Sequence, residues 1–173
     1  MNVRPDQLTD VLGKQLHPVY LISGDEPLQV MEAADAVRIA CRKQDYTERE
    51  VFDVDTSFDW QTLTEEANSL SLFSSRRILD VRMPSAKPGR EGGQALKAYA
   101  ANLPEDTVLL ITAGKLEAAQ KKSAWFKALD QAGLVMQCWP IGPDRLPAWV
   151  RQRFQARDCL LYTSDAADDY LTV

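Results

Sequence analysis

Three cysteines and one histidine are a small stock of soft metal ligands for 173 residues. Cys41, Cys138 and Cys159 stand far apart, with no second Cys or His at ligand spacing, so neither a zinc site nor a disulfide framework is indicated and the thiols are expected to be reduced. His17 has no Cys or Ser near it with which to form a nucleophilic dyad, and is expected as a surface or capping residue. No stretch reaches the ~20 apolar residues of a membrane helix, and the opening Met-Asn-Val-Arg-Pro-Asp lacks the apolar core of a signal peptide. A cytoplasmic chain is the expectation. Internal repeats and low-complexity tracts are absent. Twenty basic against 25 acidic side chains, a net charge of −5, argue against a protein that coats nucleic acid, although Arg76-Arg77 or Lys121-Lys122 could form a local basic patch.

A further lack is more informative. Residues 19–28 read Val-Tyr-Leu-Ile-Ser-Gly-Asp-Glu-Pro-Leu, an apolar strand, one glycine and a helix start, where a nucleotide-binding protein places its phosphate loop. Such a loop needs several glycines to bare backbone N–H groups, a Lys for the β- and γ-phosphates, and a Ser or Thr for magnesium. Here Gly24 stands alone, Asp25 and Glu26 would repel phosphate, and Pro27 removes a donor. The acid that would hold magnesium at a strand end is missing after Leu110-Ile111-Thr112-Ala113-Gly114. Asp80, after Ile78-Leu79, is expected to face solvent. The scaffold of a nucleotide site without its chemistry implies binding or mechanical work, with no catalytic residue and no cofactor; a divergent nucleotide-binding or NTPase domain is the alternative.

What is present suits one globular domain: 45% hydrophobic and 26% charged residues are enough to bury a core. A short amphipathic helix is predicted over Arg4 to Lys14, a strand from Val19, and a helix from about Pro27 to Lys43 with Leu28, Met31, Ala34, Val37 and Cys41, flanked by Ala33, Ala36 and Ile39, on a broad apolar face. Strands follow at Glu50 to Val54, Arg77 to Arg82, Thr107 to Thr112 and Leu134 to Cys138. Helices are predicted over Trp60 to Ser69, near Gly92 to Ala101, and over Ala118 to Ala132. Met83 to Gly93, with two prolines and three glycines, reads as an exposed loop. The alternation predicts an α/β fold, a mostly parallel sheet with helices on both faces. Prolines at 140, 143 and 147 punctuate the chain before an amphipathic helix with Trp149, Val150 and Phe154. The expected division is a first domain over 1–140, the start of a truncated helical domain over 141–158, and a tail over 159–173. From Cys159 to Asp168 the tail looks like a translated sequencing adapter and is expected to be non-native, with the natural protein longer. Without its three aspartates the remainder holds 20 basic and 22 acidic side chains.

Between a predicted helix and strand lies Asn68-Ser69-Leu70-Ser71-Leu72-Phe73-Ser74-Ser75-Arg76-Arg77. Leu70, Leu72 and Phe73, bracketed by serines and followed by two arginines, have the pattern of a protruding apolar wedge with a polar rim. They can equally be core residues at a helix end, where Leu and Phe are most often buried, which would leave an inert scaffold. An exposed pair needs a partner to cover it, and burial of each large side chain contributes ~1.5–3 kcal/mol, enough to anchor an interface.

The order of these motifs resembles the delta-subunit family of bacterial DNA polymerase III clamp loaders. The resemblance rests on Val19 to Leu28, Asp59-Trp60, Ser69 to Arg76, Lys115-Leu116, Ser123-Ala124-Trp125-Phe126 and Leu146-Pro147-Ala148-Trp149-Val150. It implies an ATPase-type (AAA+) first domain that has lost nucleotide binding and works in a five-subunit loader beside ATP-binding partners. Leu72 and Phe73 match that family's apolar wedge for the ring-shaped sliding clamp, and Leu70 matches its neighbouring contact. The implied mechanism is differential binding, in which a wedge that fits an open ring better stabilises that ring without hydrolysing anything. The resemblance further implies a cytoplasmic subunit of a DNA-directed DNA polymerase (nucleotidyltransferase) holoenzyme, without catalysis of its own and with indirect or weak contact to DNA. The family's helical and collar domains are essentially absent here, so clamp binding is expected to survive and assembly into the loader is not.

Overall fold

The computed structural model describes residues 1–69, 76–144 and 146–156. These fall into two compact units, one over residues 1–139 and a second beginning at Pro140. In the first unit, six strands form one sheet in the order β1-β6-β2-β5-β4-β3, with every pairing parallel. They are β1 (Asn2–Val3), β2 (Val19–Gly24), β3 (Tyr46–Asp53), β4 (Arg76–Met83), β5 (Thr107–Ala113) and β6 (Leu134–Cys138). Central strands β2, β5 and β6 are nearly continuous apolar runs because both of their faces are covered. Edge strand β3 carries exposed Glu48, Arg49 and Val51, charges that blunt an unpaired edge.

The helices of this unit are α1 (Leu8–Lys14), α2 (Pro27–Arg42), α3 (Trp60–Asn68), α4 (Gly89–Ala101), α5 (Ala118–Lys122) and α6 (Ala124–Ala132). Strand alternation sorts the core into two layers. Val19, Leu21, Leu79, Val81, Leu109 and Ile111 meet Leu63 of α3, Leu96 of α4, and Trp125 and Leu129 of α6. Tyr20, Ile22, Ile78, Val108 and Leu110 meet Leu8 and Leu12 of α1 and Ala34, Val37 and Cys41 of α2. Burial pushes the thiols of Cys41 and Cys138 up to about 11, which keeps them protonated and unreactive. The second unit contains α7 (Leu146–Ala156), where the Arg153 guanidinium lies 3.6 Å from the Trp149 ring centre.

Several local expectations change. The stretch predicted as one helix over Ala118 to Ala132 breaks at Ser123, whose hydroxyl accepts from the Phe126 N–H at 3.4 Å and so starts α6 afresh. The expected exposed loop from Met83 is largely structured: Met83 and Ala86 are buried and α4 begins at Gly89. Gly92 in that helix is also required, because a Cβ there would lie 2.3 Å from the Trp60 ring. On α2 only the stripe Ala33, Ala34, Val37 and Cys41 is buried, whereas Leu28, Met31 and Ile39 are about half exposed, the sheet covering a narrower arc than the apolar pattern offers. His17 is half-buried and edge-on to Tyr20, and its backbone N–H donates to the Tyr20 hydroxyl at 2.8 Å. Burial and the charge of the N-terminus lower its imidazole pKa.

Candidate functional site

In a parallel sheet, ligands bind at the carboxyl ends of strands where successive crossovers leave on opposite faces. Here β2 leads into α2 on one face and β5 leads toward α6 on the other, so the crevice falls after Gly24 and Ala113. Ser23, Gly24, Asp25, Lys115, Leu116, Gln137, Cys138 and Trp139 line a cavity of about 10 Å³ there. That is space for about one water molecule, whereas ligand pockets run to ~300–1,000 Å³.

The closure has a backbone cause. Gly24 pairs with Cys138 across β2 and β6, and a Cβ at position 24 would lie 2.3 Å from the Cys138 carbonyl oxygen and 2.9 Å from its Cβ. Gly24 therefore serves close strand approach. Gly24→Ala is expected to destabilise the first unit by about 2 kcal/mol, read as a lower midpoint in urea; an unchanged midpoint would contradict the close approach. Asp25 is exposed and Glu26 half-buried, and Pro27 occupies the first turn of α2, where a proline costs no intrahelical bond. Lys115 is placed to serve a phosphate, yet its ammonium lies 3.4 Å from the Asp25 carboxylate. Lys121 is engaged as well, donating to the Gln137 side-chain oxygen at 2.8 Å and lying 5.1 Å from the Trp139 ring centre.

Asp80 is not solvent-facing as the sequence led us to expect. It is fully buried in the middle of β4, and its Oδ2 accepts from Arg38 Nε of α2 at 2.9 Å and from Arg49 Nε of β3 at 2.8 Å. Arg38 also pairs with Asp35 at 2.5 Å. A carboxylate held by two guanidiniums inside the sheet-helix layer has a structural task, since a buried charge is tolerated only when paired. The signal for this in the sequence was an acid embedded in an apolar run, with arginines on the preceding helix and strand.

Leu70, Leu72 and Phe73 lie outside the described residues, but both stems of their segment are defined. Ser69 follows α3 and Arg76 opens β4, so the stem at Arg76 lies at the amino-terminal edge of the sheet. The phosphate-loop position is at the carboxyl-terminal edge. An eight-residue strand such as β4 separates the two edges by about 25 Å. At the stem, Arg77 is nearly buried and turned inward, so Arg76 and Arg77 do not form a free basic patch. Arg77 donates to the Glu66 carbonyl, to the Ser69 hydroxyl at 3.0 Å and to the Ser69 carbonyl at 2.9 Å, and its guanidinium lies 3.5 Å from the Glu66 carboxylate. Arg76 is more exposed and is held by Asp106 at 3.3 Å and the Gln44 carbonyl at 3.1 Å, against the Tyr46 ring. Glu50 reaches the same cluster; burial first, then the neighbouring Glu66, raise its carboxyl pKa, with Arg77 opposing.

Together, the six-stranded parallel sheet covered on both faces and the closed strand-turn-helix at its switch crevice define a parallel α/β module. Solved structures share this fold. The DNA clamp loader delta protein of Bacillus subtilis superposes with a TM-score of 0.67 at 19% identity, over 88% of this chain and 48% of that one. A DNA polymerase III gamma subunit-related protein of Thermotoga maritima superposes with a TM-score of 0.50 at 13% identity, over 86% and 49%. The family model for DNA polymerase III, delta subunit, matches residues 20–139, and the chain belongs to that family. It is 32% identical over 167 residues to the DNA polymerase III subunit delta of Escherichia coli K12, covering 96% of this chain and 48% of that protein. The corresponding protein of Haemophilus influenzae is 30% identical over 155 residues, covering 88% and 45%. The chain spans about half the length of these relatives. The resemblance read from the sequence holds at the level of the family, as does the α/β fold.

Proposed function

We propose that this chain is the clamp-engaging part of a clamp-loader delta subunit in DNA replication. Leu72 and Phe73, with Leu70 beside them, bind the sliding clamp as an apolar wedge, and the wedge stabilises the open ring without ATP hydrolysis by this chain. The observation that carries the reading is the separation of two edges in a delta-family fold. At the carboxyl edge, the nucleotide crevice is reduced to about 10 Å³ and Lys115 is paired with Asp25; Arg76, which follows the apolar segment in sequence, opens β4 at the opposite edge. Binding energy spent on a ring that is already open shifts the clamp toward that state, by no more than the difference in affinity between the two states. ATP acts through other loader subunits, the full-length protein's partners, and DNA contact is indirect. The work is cytoplasmic and belongs to the polymerase III holoenzyme, with no catalytic step assigned to this chain. Among the described residues no helix is long and apolar enough to cross a membrane.

Calorimetry with ATP and magnesium separates this reading from a divergent nucleotide-binding domain. The expected result is no saturable heat at millimolar nucleotide; micromolar binding would replace the clamp reading with the nucleotide one. In parallel, the chain is expected to retain its cognate clamp on a column without added nucleotide.

A further inference from the structure

We infer that the outer face of α2 is a docking surface for a second copy of this chain, the two helices lying antiparallel about a two-fold axis at Asp35. One stripe of α2 is buried on the sheet, yet Leu28, Met31 and Ile39 on its other side are 46%, 53% and 54% exposed. Three large apolar side chains bared on one helix face mark a surface that takes a partner. With Asp35 and Arg42 they recur every three or four residues, the spacing of a seam that a single facing helix fills.

Charge says what the facing helix is. The first half of this face carries Glu32 and Asp35, and the second half carries Arg38 and Arg42. A second copy laid parallel would set like charge against like, whereas an antiparallel copy sets acid against base. In a two-fold pair every contact is made twice, and the residues that meet are those equally far from the axis on either side. With the axis at Asp35, Met31 covers the second copy's Ile39 and Glu32 meets its Arg38. The aliphatic stem of its Arg42 lies over Leu28, with the charge left in water. The two Asp35 carboxylates approach at the axis, but each is held by Arg38 of its own helix at 2.5 Å. Arg38 is in turn fixed from beneath, its Nε donating to Asp80 at 2.9 Å, so the charges at the centre of the face are set before docking. A helix of 16 residues offers a strip about 24 Å long and about 10 Å wide. That falls short of the ~1,200 Å² at which stable complexes begin, so the dimer is weak and reversible, with a dissociation constant on the order of 100 µM.

Sedimentation equilibrium of the chain from about 10 µM to about 1 mM spans that constant. The expected result is a reversible rise from monomer to dimer mass. Met31→Glu sets a carboxylate against the second copy's Ile39 and is expected to weaken association at least tenfold. Adding Ile39→Lys to the same chain is expected to restore it, because the antiparallel register brings the two opposite new charges face to face twice. Both positions are half exposed, and circular dichroism confirms that each variant is folded; the mass of the parent chain is decisive by itself. A monomer across the whole range would leave the face to a different protein and overturns the inference. A dimer indifferent to Met31→Glu forms through another surface and overturns it as well. A double variant no better than Met31→Glu alone contradicts the antiparallel register.

Discussion

Leu72→Ala combined with Phe73→Ala is expected to weaken binding to the sliding clamp by at least 100-fold while leaving the melting temperature within a few degrees of the parent chain. The magnitude follows from the chemistry of the pair. Each large apolar side chain contributes ~1.5–3 kcal/mol when fully buried, and anchors at the centre of an interface cost ~2 kcal/mol or more when truncated. Two such losses exceed the ~2.7 kcal/mol that corresponds to 100-fold. The melting curve decides between the wedge and the core. Were Leu72 and Phe73 core residues, truncating both would remove ~5 kcal/mol or more of stability, and the chain would melt far below the parent. Loss of binding with a parental melt supports the wedge; a collapsed melt, or parental binding, refutes it.

The second large effect is on stability. Asp80→Ala is expected to cost about 3 kcal/mol, the lower part of the range for removing one partner of a buried ion pair. It falls at that end for two reasons visible in the structure. Arg38 keeps Asp35 at 2.5 Å, and the Arg49 side chain is 36% exposed, so both guanidiniums retain some compensation. Against a typical total of ~5–15 kcal/mol, the loss shifts a denaturation midpoint plainly. A change under about 1 kcal/mol would show that the two arginines contribute little beyond filling space. A double-mutant cycle of Asp80→Ala with Arg49→Met isolates the strand-to-strand pairing from the contribution of Arg38.

The parts of the fold that read well from sequence are those in which one requirement dominates. Strands β2, β5 and β6 are buried on both faces, and their apolar runs leave no other reading; Pro27 marks the start of α2 because proline there costs no hydrogen bond. Where two requirements compete, the sequence misled. The strand predicted over Glu50 to Val54 in fact begins at Tyr46, four residues earlier, because the charges of Glu48 and Arg49 suit an edge strand that must avoid further pairing. The two-residue β1 is too short for any periodicity and exists only because β6 offers an edge, Val135 donating to the Met1 carbonyl at 2.8 Å. Asp80 was assigned to solvent because isolated acids usually are exposed; its partners come from a helix and a strand more than thirty residues away. Arg77 likewise looked like half of a basic patch, since strand register, and not local sequence, turns it inward.

Of the candidate site, the degenerate phosphate loop was legible because the chemistry it lacks is written in adjacent residues. Its closure was not, since the Gly24–Cys138 approach joins residues over a hundred positions apart. That closure is the ground on which the proposed clamp binding is taken to be independent of nucleotide. The most direct test is a titration of fluorescently labelled cognate sliding clamp with this chain, without nucleotide and again with ATP and magnesium. The expected result is saturable binding with the same affinity in both. No binding at tens of micromolar, or binding that requires ATP, would contradict the account.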